Sequence, residues 1–347
     1  MEASVSNHEI VQVKNLVKVY PGGTRAVSGI DFTVIQGEFF GFLGPNGAGK
    51  TTTIKILSAL LKKTSGEAVV AGYHVDRDPR EVRRRIGFAM QEVGLDDLAT
   101  GWDFLVLQGL LYGLSRREAR RRAAELLDLV ELAPVAKRKI GTYSGGMRRR
   151  IDLVAALMHS PALLFLDEPT TGLDPQSRLA IWEHLEQLNE QGVTIFLTTQ
   201  MMEEADRLCQ RIAIIDQSRI VAEGSPQELK AKVGGDMIRI TIASTDERAG
   251  KALMDKAEAL VKELSYVSGV SSRDGNLIIG VKDGSSGAPD LMRVFHDNKI
   301  PVTHLSVASP SLDDVFLKYT GRKIRSEEAS GDEAGQMLRP WLGLKRR

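Results

Sequence analysis

The chain has a single cysteine, Cys209, so no internal disulfide can staple it. Set behind an amphipathic helical pattern, that thiol reads as a small buried hydrophobe rather than a reactive group. Six histidines are scattered without ligand spacing, which argues against a structural metal. Neither sign of charge is in excess: 46 basic residues against 45 acidic leave a formal net charge of +1, so no global field draws the chain to nucleic acid or to an anionic membrane. Long apolar runs are also missing. FLVLQGLLYGL and LVAALM fall well short of the roughly 20 residues that span a bilayer, and the opening MEASVSNHEI lacks the basic and apolar regions of a signal peptide. A cytosolic chain is expected. Its 347 residues exceed what one hydrophobic core organises, so two domains and a tail are expected as well.

From Glu9 to about Gly235 strands alternate with helical stretches. EIVQVKNLVKVY and GIDFTVIQGE alternate apolar and polar residues as half-buried antiparallel strands do. FFGFLG, ALLFLDEP and VTIFLTT are almost wholly apolar and each precedes a helical pattern, as buried strands of a parallel sheet do, and RIAIID follows as a fourth. Ligands gather at the carboxyl ends of such strands, and three of these ends carry polar clusters. Between Gln91 and Tyr143 the strand signal gives way to GWDFLVLQGLLYGL, SRREARRRAAELLDLVEL and APVAKRKI, read as an inserted helical unit over about 92–142. Its arginines are interleaved with Glu118 and Glu125 at helical spacing and read as a solvated face. Beyond Gly235 the order is strand, helix, two strands about an Asp274-Gly275 turn, helix, strand. That βαββαβ series predicts a small ferredoxin-like α+β sandwich over 236–321, closed by a helix stacking Leu312, Val315, Phe316 and Tyr319 and ending at Gly321. Residues 322–347 are charged and unpatterned and are expected to be a disordered tail, although Trp341 and the closing basic cluster could touch a membrane or a partner.

GPNGAGKT, Gly44 to Thr51, fits the P-loop pattern and lies between an apolar strand and a helix starting near Lys50. Gly44, Gly47 and Gly49 let successive N–H groups turn in on a phosphate. The helix N-terminus adds its dipole, Lys50 a point charge, and Thr51 a hydroxyl for Mg²⁺. LLFLDEP delivers Asp167 and Glu168 to a second strand mouth. Adjacent strand residues face opposite ways, so one carboxylate should serve the metal and the other the attacking water. In YSGGMRRR, Ser144, Gly145 and Gly146 precede a helix and form a second anion-binding N-terminus. One P-loop already grips one nucleotide, so the phosphate held there belongs to something else. At the third mouth, FLTTQ ends on Gln200, an amide that can donate to a phosphate and accept from water at once, or merely cap the strand end.

In this order the motifs resemble the ATP-binding subunits of ABC transporters over Glu9 to about Pro226. The resemblance implies an α/β P-loop NTPase cassette over 9–235, with a mixed-sheet core, an antiparallel β subdomain and the helical insert. It implies that Tyr20, in VKVYPGG, stacks on adenine, and that Gly44, Pro45, Asn46, Gly47, Ala48, Gly49, Lys50, Thr51 and Thr52 hold the phosphates. Ser144, Gly145 and Gly146 then close on nucleotide bound by a second copy, and Asp174 communicates across that homodimer. Thr51, Asp167 and Gln91, in AMQEVGL, serve Mg²⁺, and Gln91 also links it to the transport partner. Glu168 resembles the general base, and with Lys50 and Gln200 forms the catalytic set. Two departures stand out. Tyr143 and Met147 flank the second anion site where leucine and glutamine are commoner, and Gln200 replaces a histidine, as it does in the drug-resistance subgroup. The carboxyl-terminal sandwich with PSLDDVFLKYTGR is similar to the extension on daunorubicin/doxorubicin-resistance exporter ATPases and related multidrug ATPases. A dimerising or stabilising role and a drug-binding role both remain open for it.

The resemblance implies ATP hydrolysis, with ATP and Mg²⁺, that energises export of drugs or other hydrophobic molecules through a separate membrane-spanning permease, from the cytoplasmic face. The alternative is a soluble ABC ATPase acting on the ribosome or nucleic acid. A single cassette, balanced charge and no long coiled-coil arms count against it. A non-catalytic nucleotide sensor would lack a glutamate at position 168, and Glu168 is present.

Overall fold

The structure, a computed structural model, describes residues 9–90, 94–243, 247–273 and 276–321. Gln91 and the segment 322–347 lie outside them. The chain divides into two compact units, 1–226 and 227–347. The first runs β1 (Glu9–Val19), β2 (Arg25–Ile35), β3 (Phe39–Leu43), α1 (Lys50–Leu57), β4 (Ser65–Val70), β5 (Tyr73–His74), α2 (Pro79–Arg85), β6 (Ile86–Ala89), α3 (Gly101–Leu111), α4 (Arg116–Leu129), α5 (Gly145–Ala155), β7 (Leu163–Asp167), α6 (Pro175–Glu190), β8 (Thr194–Thr199), α7 (Met202–Leu208), β9 (Arg211–Asp216) and β10 (Arg219–Gly224).

The alternating strands β1 and β2 pair antiparallel, and β4 and β5 extend them into a sheet of order β2-β1-β4-β5. The apolar runs fill a second, six-stranded sheet of order β10-β9-β3-β8-β7-β6. Within it β9, β3, β8, β7 and β6 are parallel and β10 returns antiparallel along β9. All residues of β3, β7 and β8 are buried, which explains why those segments carry no polar alternation. Aromatic rings join the two sheets: Phe196 lies 5.9 Å from Phe32, 5.3 Å from Phe40, 5.7 Å from Phe42 and 5.4 Å from Phe165. Each such ring contributes about 1.5–3 kcal/mol by leaving water, and the cluster fixes the register of the strands whose ends carry the polar residues. Ile54, Ile56 and Leu57 of α1 complete this core.

In the helical insert α4 starts on a capping box between Ser115 and Glu118. APVAKRKI is not an amphipathic helix. It forms two separate 3₁₀ turns, Ala133–Val135 and Ile140–Thr142, because its backbone is committed to the start of α3: Ala136 O accepts from Trp102 N and Ile140 N donates to Ala99 O. Cys209 is buried, and burial pushes its thiol well above the usual range.

At the boundary α8 (Pro226–Val233) leads into β11 (Asp236–Ile242), α9 (Glu247–Lys262), β12 (Val267–Arg273), β13 (Asn276–Val281), α10 (Gly284–Asp297), β14 (Val302–Ala308) and α11 (Leu312–Thr320). The four strands form an antiparallel sheet of order β12-β13-β11-β14. Ile238, Ile240, Leu277 and Ile279 of the sheet pack with Ala257 and Val261 of α9 and Leu291 and Phe295 of α10. On α11, Leu312, Val315 and Phe316 are buried as expected, but Leu317 turns in and Tyr319 stays 39% exposed. Gly321 ends the helix at φ 72°, the left-handed position where glycine costs least.

Candidate active site

β3 delivers Gly44 to Gly49 to the start of α1. Gly49 caps that helix at φ 108° and Gly47 sits at φ 80°, so the backbone winds in a way that side chains resist. A Cβ on Gly49 would stand 2.2 Å from Ala26 O, whereas one on Gly47 would meet open space. The loop is therefore packed behind and open in front. Lys50 folds back over it, its Nζ donating to Gly44 O at 2.7 Å and Pro45 O at 3.1 Å.

The same Nζ meets Glu168 Oε1 at 3.2 Å, with Lys50 only 4% and Glu168 6% exposed. Burial pushes the Lys50 ammonium below its ordinary value, against the opposing pull of Glu168 and Asp167. Glu168 lies one residue beyond β7 at φ 48°, and Thr171 Oγ1 donates to its Oε2 at 3.2 Å. Asp167, the last residue of β7, accepts at Oδ1 from Thr51 Oγ1 at 3.2 Å and from Thr198 Oγ1 of β8. The carboxylates are thus separated by a left-handed turn after the strand, not by alternation along it. Asp167 Oδ1 and the Thr51 hydroxyl thus stand side by side, oxygen donors of the kind that suits a hard dication such as Mg²⁺.

Tyr20, after β1, brings its hydroxyl within 3.4 Å of Thr52 Oγ1 on α1, and Lys18 Nζ lies 5.2 Å from its ring centroid. Gln200 follows β8 directly. Gly44 N donates to Thr199 O at 3.1 Å, which ties the residue before Gln200 to the phosphate loop. The Gln200 amide makes no hydrogen bond among the described residues. Ser144 caps α5, accepting from Met147 N at 3.3 Å. Ser144 and Gly145 are exposed, and no hydrogen bond among the described residues joins them to Gly44–Thr52. Tyr143 is buried with its hydroxyl donating to Val135 O at 3.0 Å. Gly146 is close-packed: a Cβ there would lie 2.5 Å from Ser177 Oγ, which donates to Asp174 Oδ2 at 2.6 Å. Asp174 caps α6 from an exposed position.

Residues 27–171 match the ABC transporter family model, and residues 224–320 match that of the ATP-binding protein DrrA1-3-like, C-terminal domain. The daunorubicin resistance ATP-binding protein DrrA2 of Streptomyces coeruleorubidus is 44% identical over 92% of this chain and 97% of its own. The chain belongs to the daunorubicin/doxorubicin-resistance family of ABC transporter ATP-binding proteins. The linearmycin resistance ATP-binding protein LnrL of Bacillus subtilis (strain 168) is 40% identical to this ABC ATPase over 91% of this chain and 100% of its own. Among solved structures, the dimeric post-hydrolysis state of the ATP-binding cassette MJ0796 bound to ADP and Pi aligns with TM-score 0.57 and 29% identity, covering 62% of this chain and 98% of that one. Among the described residues no helix is long and apolar enough to cross a membrane.

Sequence reasoning missed two polar residues of this ABC ATPase. Thr198 holds Asp167 from the neighbouring strand, and a threonine near the end of an apolar run was the available signal. Glu204, 1% exposed, accepts from Thr170 Oγ1 at 2.6 Å and Trp182 Nε1 at 3.0 Å, tying the segment after Glu168 to the helix after Gln200. Burial raises its carboxyl above the ordinary value. Nothing in MMEEAD separates it from its exposed neighbour Glu203.

Proposed function

We propose that this ABC ATPase hydrolyses ATP held between two copies of itself and drives export of daunorubicin-type drugs, or other hydrophobic small molecules, through a separate membrane-spanning permease at the cytoplasmic face. The observation that carries the hydrolytic reading is the contact of Lys50 and Glu168 at 3.2 Å above a phosphate loop, beside a carboxylate already bonded to Thr51. The resistance roles in the names of its relatives support the choice of cargo, and the dimeric cassette with ADP and Pi supports the paired arrangement.

In this reading Tyr20 stacks on adenine while the N–H groups of Gly44–Thr52 take the phosphates. Lys50, already aimed across the loop by two carbonyls, exchanges Glu168 for the β- and γ-phosphates. Glu168, released from the ammonium, takes the proton of the attacking water, while Thr171 steadies its other oxygen. Gln200 donates to the γ-phosphate without a charge of its own. Thr51 and Asp167 would hold Mg²⁺, with Gln91 assigned beside them; the ion when bound neutralises charge on the phosphate oxygens. Ser144, Gly145 and Gly146 close on the nucleotide of the second copy, and Asp174 reports across that junction. The exposure of Ser144, Gly145 and Asp174 on their own chain supports this division of labour.

We assign the cassette to 9–235, an accessory domain to 236–321 and a tail to 322–347. The βαββαβ order with sheet order β12-β13-β11-β14 supports a ferredoxin-like sandwich for the accessory domain. ATP turnover by the purified protein and its Glu168→Gln variant tests the chemistry: near-normal turnover in the variant would remove Glu168 from its role. Co-purification of the full chain with a membrane-spanning protein, rather than with ribosomes or nucleic acid, tests the transport reading.

A further inference from the structure

Arg149 lies one turn into α5, behind the second anion site, and is 5% exposed. A guanidinium that deep in a protein is costly unless every N–H finds an acceptor. Here Nε donates to Pro169 O at 2.6 Å, Nη2 to Asp167 O at 3.4 Å, and Nη1 to Met90 O and to Asp152 Oδ2, the latter at 3.2 Å. Three of these four acceptors are backbone carbonyls, and their places in the chain are unusual. Asp167 and Pro169 flank Glu168, and Met90 immediately precedes Gln91. Strands β6 and β7 end at Ala89 and Asp167, so the guanidinium spans the point where both leave the sheet.

Glu168 needs such a hold. It is a non-glycine residue at φ 48°, a conformation that persists only where its surroundings enforce it. Its own N–H donates to Thr198 O at 3.0 Å, which fixes one side of the turn. The rigid fork of Arg149 fixes the peptide planes before Glu168 and after Pro169 at once, which a flexible ammonium on a single point cannot do.

We propose that Arg149 is a positioning residue for hydrolysis: it holds the backbone turn that aims the Glu168 carboxylate, and it joins that turn to the residue leading into Gln91. The proposal rests on Glu168 being the general base. An arginine kept only for stability would hold the fold together without regard to which residue lies between its carbonyls.

The test is a double-mutant cycle of Arg149→Lys with Glu168→Gln on the full chain, reading single-turnover ATP hydrolysis, ATP Kd by fluorescent-nucleotide titration, and Tm. Lysine keeps a charge and a donor but loses the fork, and Arg149→Met is made in parallel as the apolar length match. With Glu168 present, Arg149→Lys is expected to slow the chemical step by about ten- to a hundredfold, the scale of a misplaced catalytic group, while ATP Kd changes by no more than about twofold. In the Glu168→Gln background the same substitution should change the residual rate by no more than about twofold, because the group it aims is gone. An equal fold-loss in both backgrounds, or a rate loss that tracks weaker ATP binding and a lower Tm, overturns the positioning role while leaving Glu168 as base. If Glu168→Gln itself turns over normally, the reading of Glu168 fails and takes this proposal with it.

Discussion

Replacing Glu168 with glutamine should do two things that pull apart: slow hydrolysis and tighten nucleotide binding. Lys50 already has a partner other than phosphate, because Glu168 Oε1 holds it at 3.2 Å. At that separation the gross attraction is on the order of 5 kcal/mol for an effective dielectric of about 20. A hydrogen bond between charged groups nets only about 1.5–3 kcal/mol, since both partners left water to make it. Any nucleotide that recruits Lys50 must first break this pair. A glutamine oxygen still accepts from the ammonium but without the charge, so about 1–2 kcal/mol of that competition disappears, or about five- to thirtyfold in affinity. Loss of the base slows turnover by roughly a hundredfold to ten-thousandfold in the same protein. Calorimetric titration with ADP is the decisive assay. Removing Glu168 also relieves repulsion of a γ-phosphate, so tighter ATP binding alone has two explanations. ADP has no γ-phosphate, and tighter ADP binding isolates the release of Lys50. Unchanged ADP affinity in Glu168→Gln refutes the competition, whatever happens to turnover.

Three further substitutions follow from the geometry. If the amide acts on the phosphate being transferred, as proposed, Gln200→Ala should lower kcat about tenfold or more while ATP Kd moves little; unchanged turnover in steady-state assays leaves it only a strand-end role. Gly146→Ala places a Cβ 2.5 Å from Ser177 Oγ and presses on the Asp174 cap behind it. The expected cost is about 1–3 kcal/mol, seen as a lower Tm, with ATPase activity lost and ADP binding retained on the chain's own phosphate loop. Asp152 is raised to about 6 by burial, with Arg149 pulling it back. Its folded value exceeds the unfolded value near 3.9, so the folded state binds the proton more tightly and stability from this group grows as pH falls through 6. Between pH 7 and pH 5 the gain is about 1 kcal/mol. Urea unfolding at both values should record that increment in the wild type and lose it in Asp152→Asn; identical pH dependence in the two proteins sinks the argument.

How much of this ABC ATPase was legible beforehand depended on whether a residue's reason was local. A phosphate loop needs glycines where the backbone winds left-handed, and that need is written into GPNGAGKT itself. An apolar run ending in Asp167 likewise announces a buried strand with a polar mouth. β6 is hard to read in the sequence, because Gly87 weakens a strand only four residues long; it is glycine because a Cβ would stand 2.4 Å from Ala156 O, a contact across the fold. APVAKRKI reads as a helix until its backbone groups are found bonded to the start of α3.

The run RRR at 148–150 makes the same point most sharply. One arginine is half-buried against Asp97, the middle one is sealed among the carbonyls around Glu168, and the third donates to Val130 O at 2.8 Å. Three identical letters differ in their partners because an α-helix turns each by about 100° onto a different neighbour. Motif spacing identifies where phosphate binds because phosphate is recognised by consecutive backbone groups. It is silent on what aims Glu168, because that task falls to a side chain approaching from another element, and only the packing of α5 against the ends of β6 and β7 selects Arg149 for it.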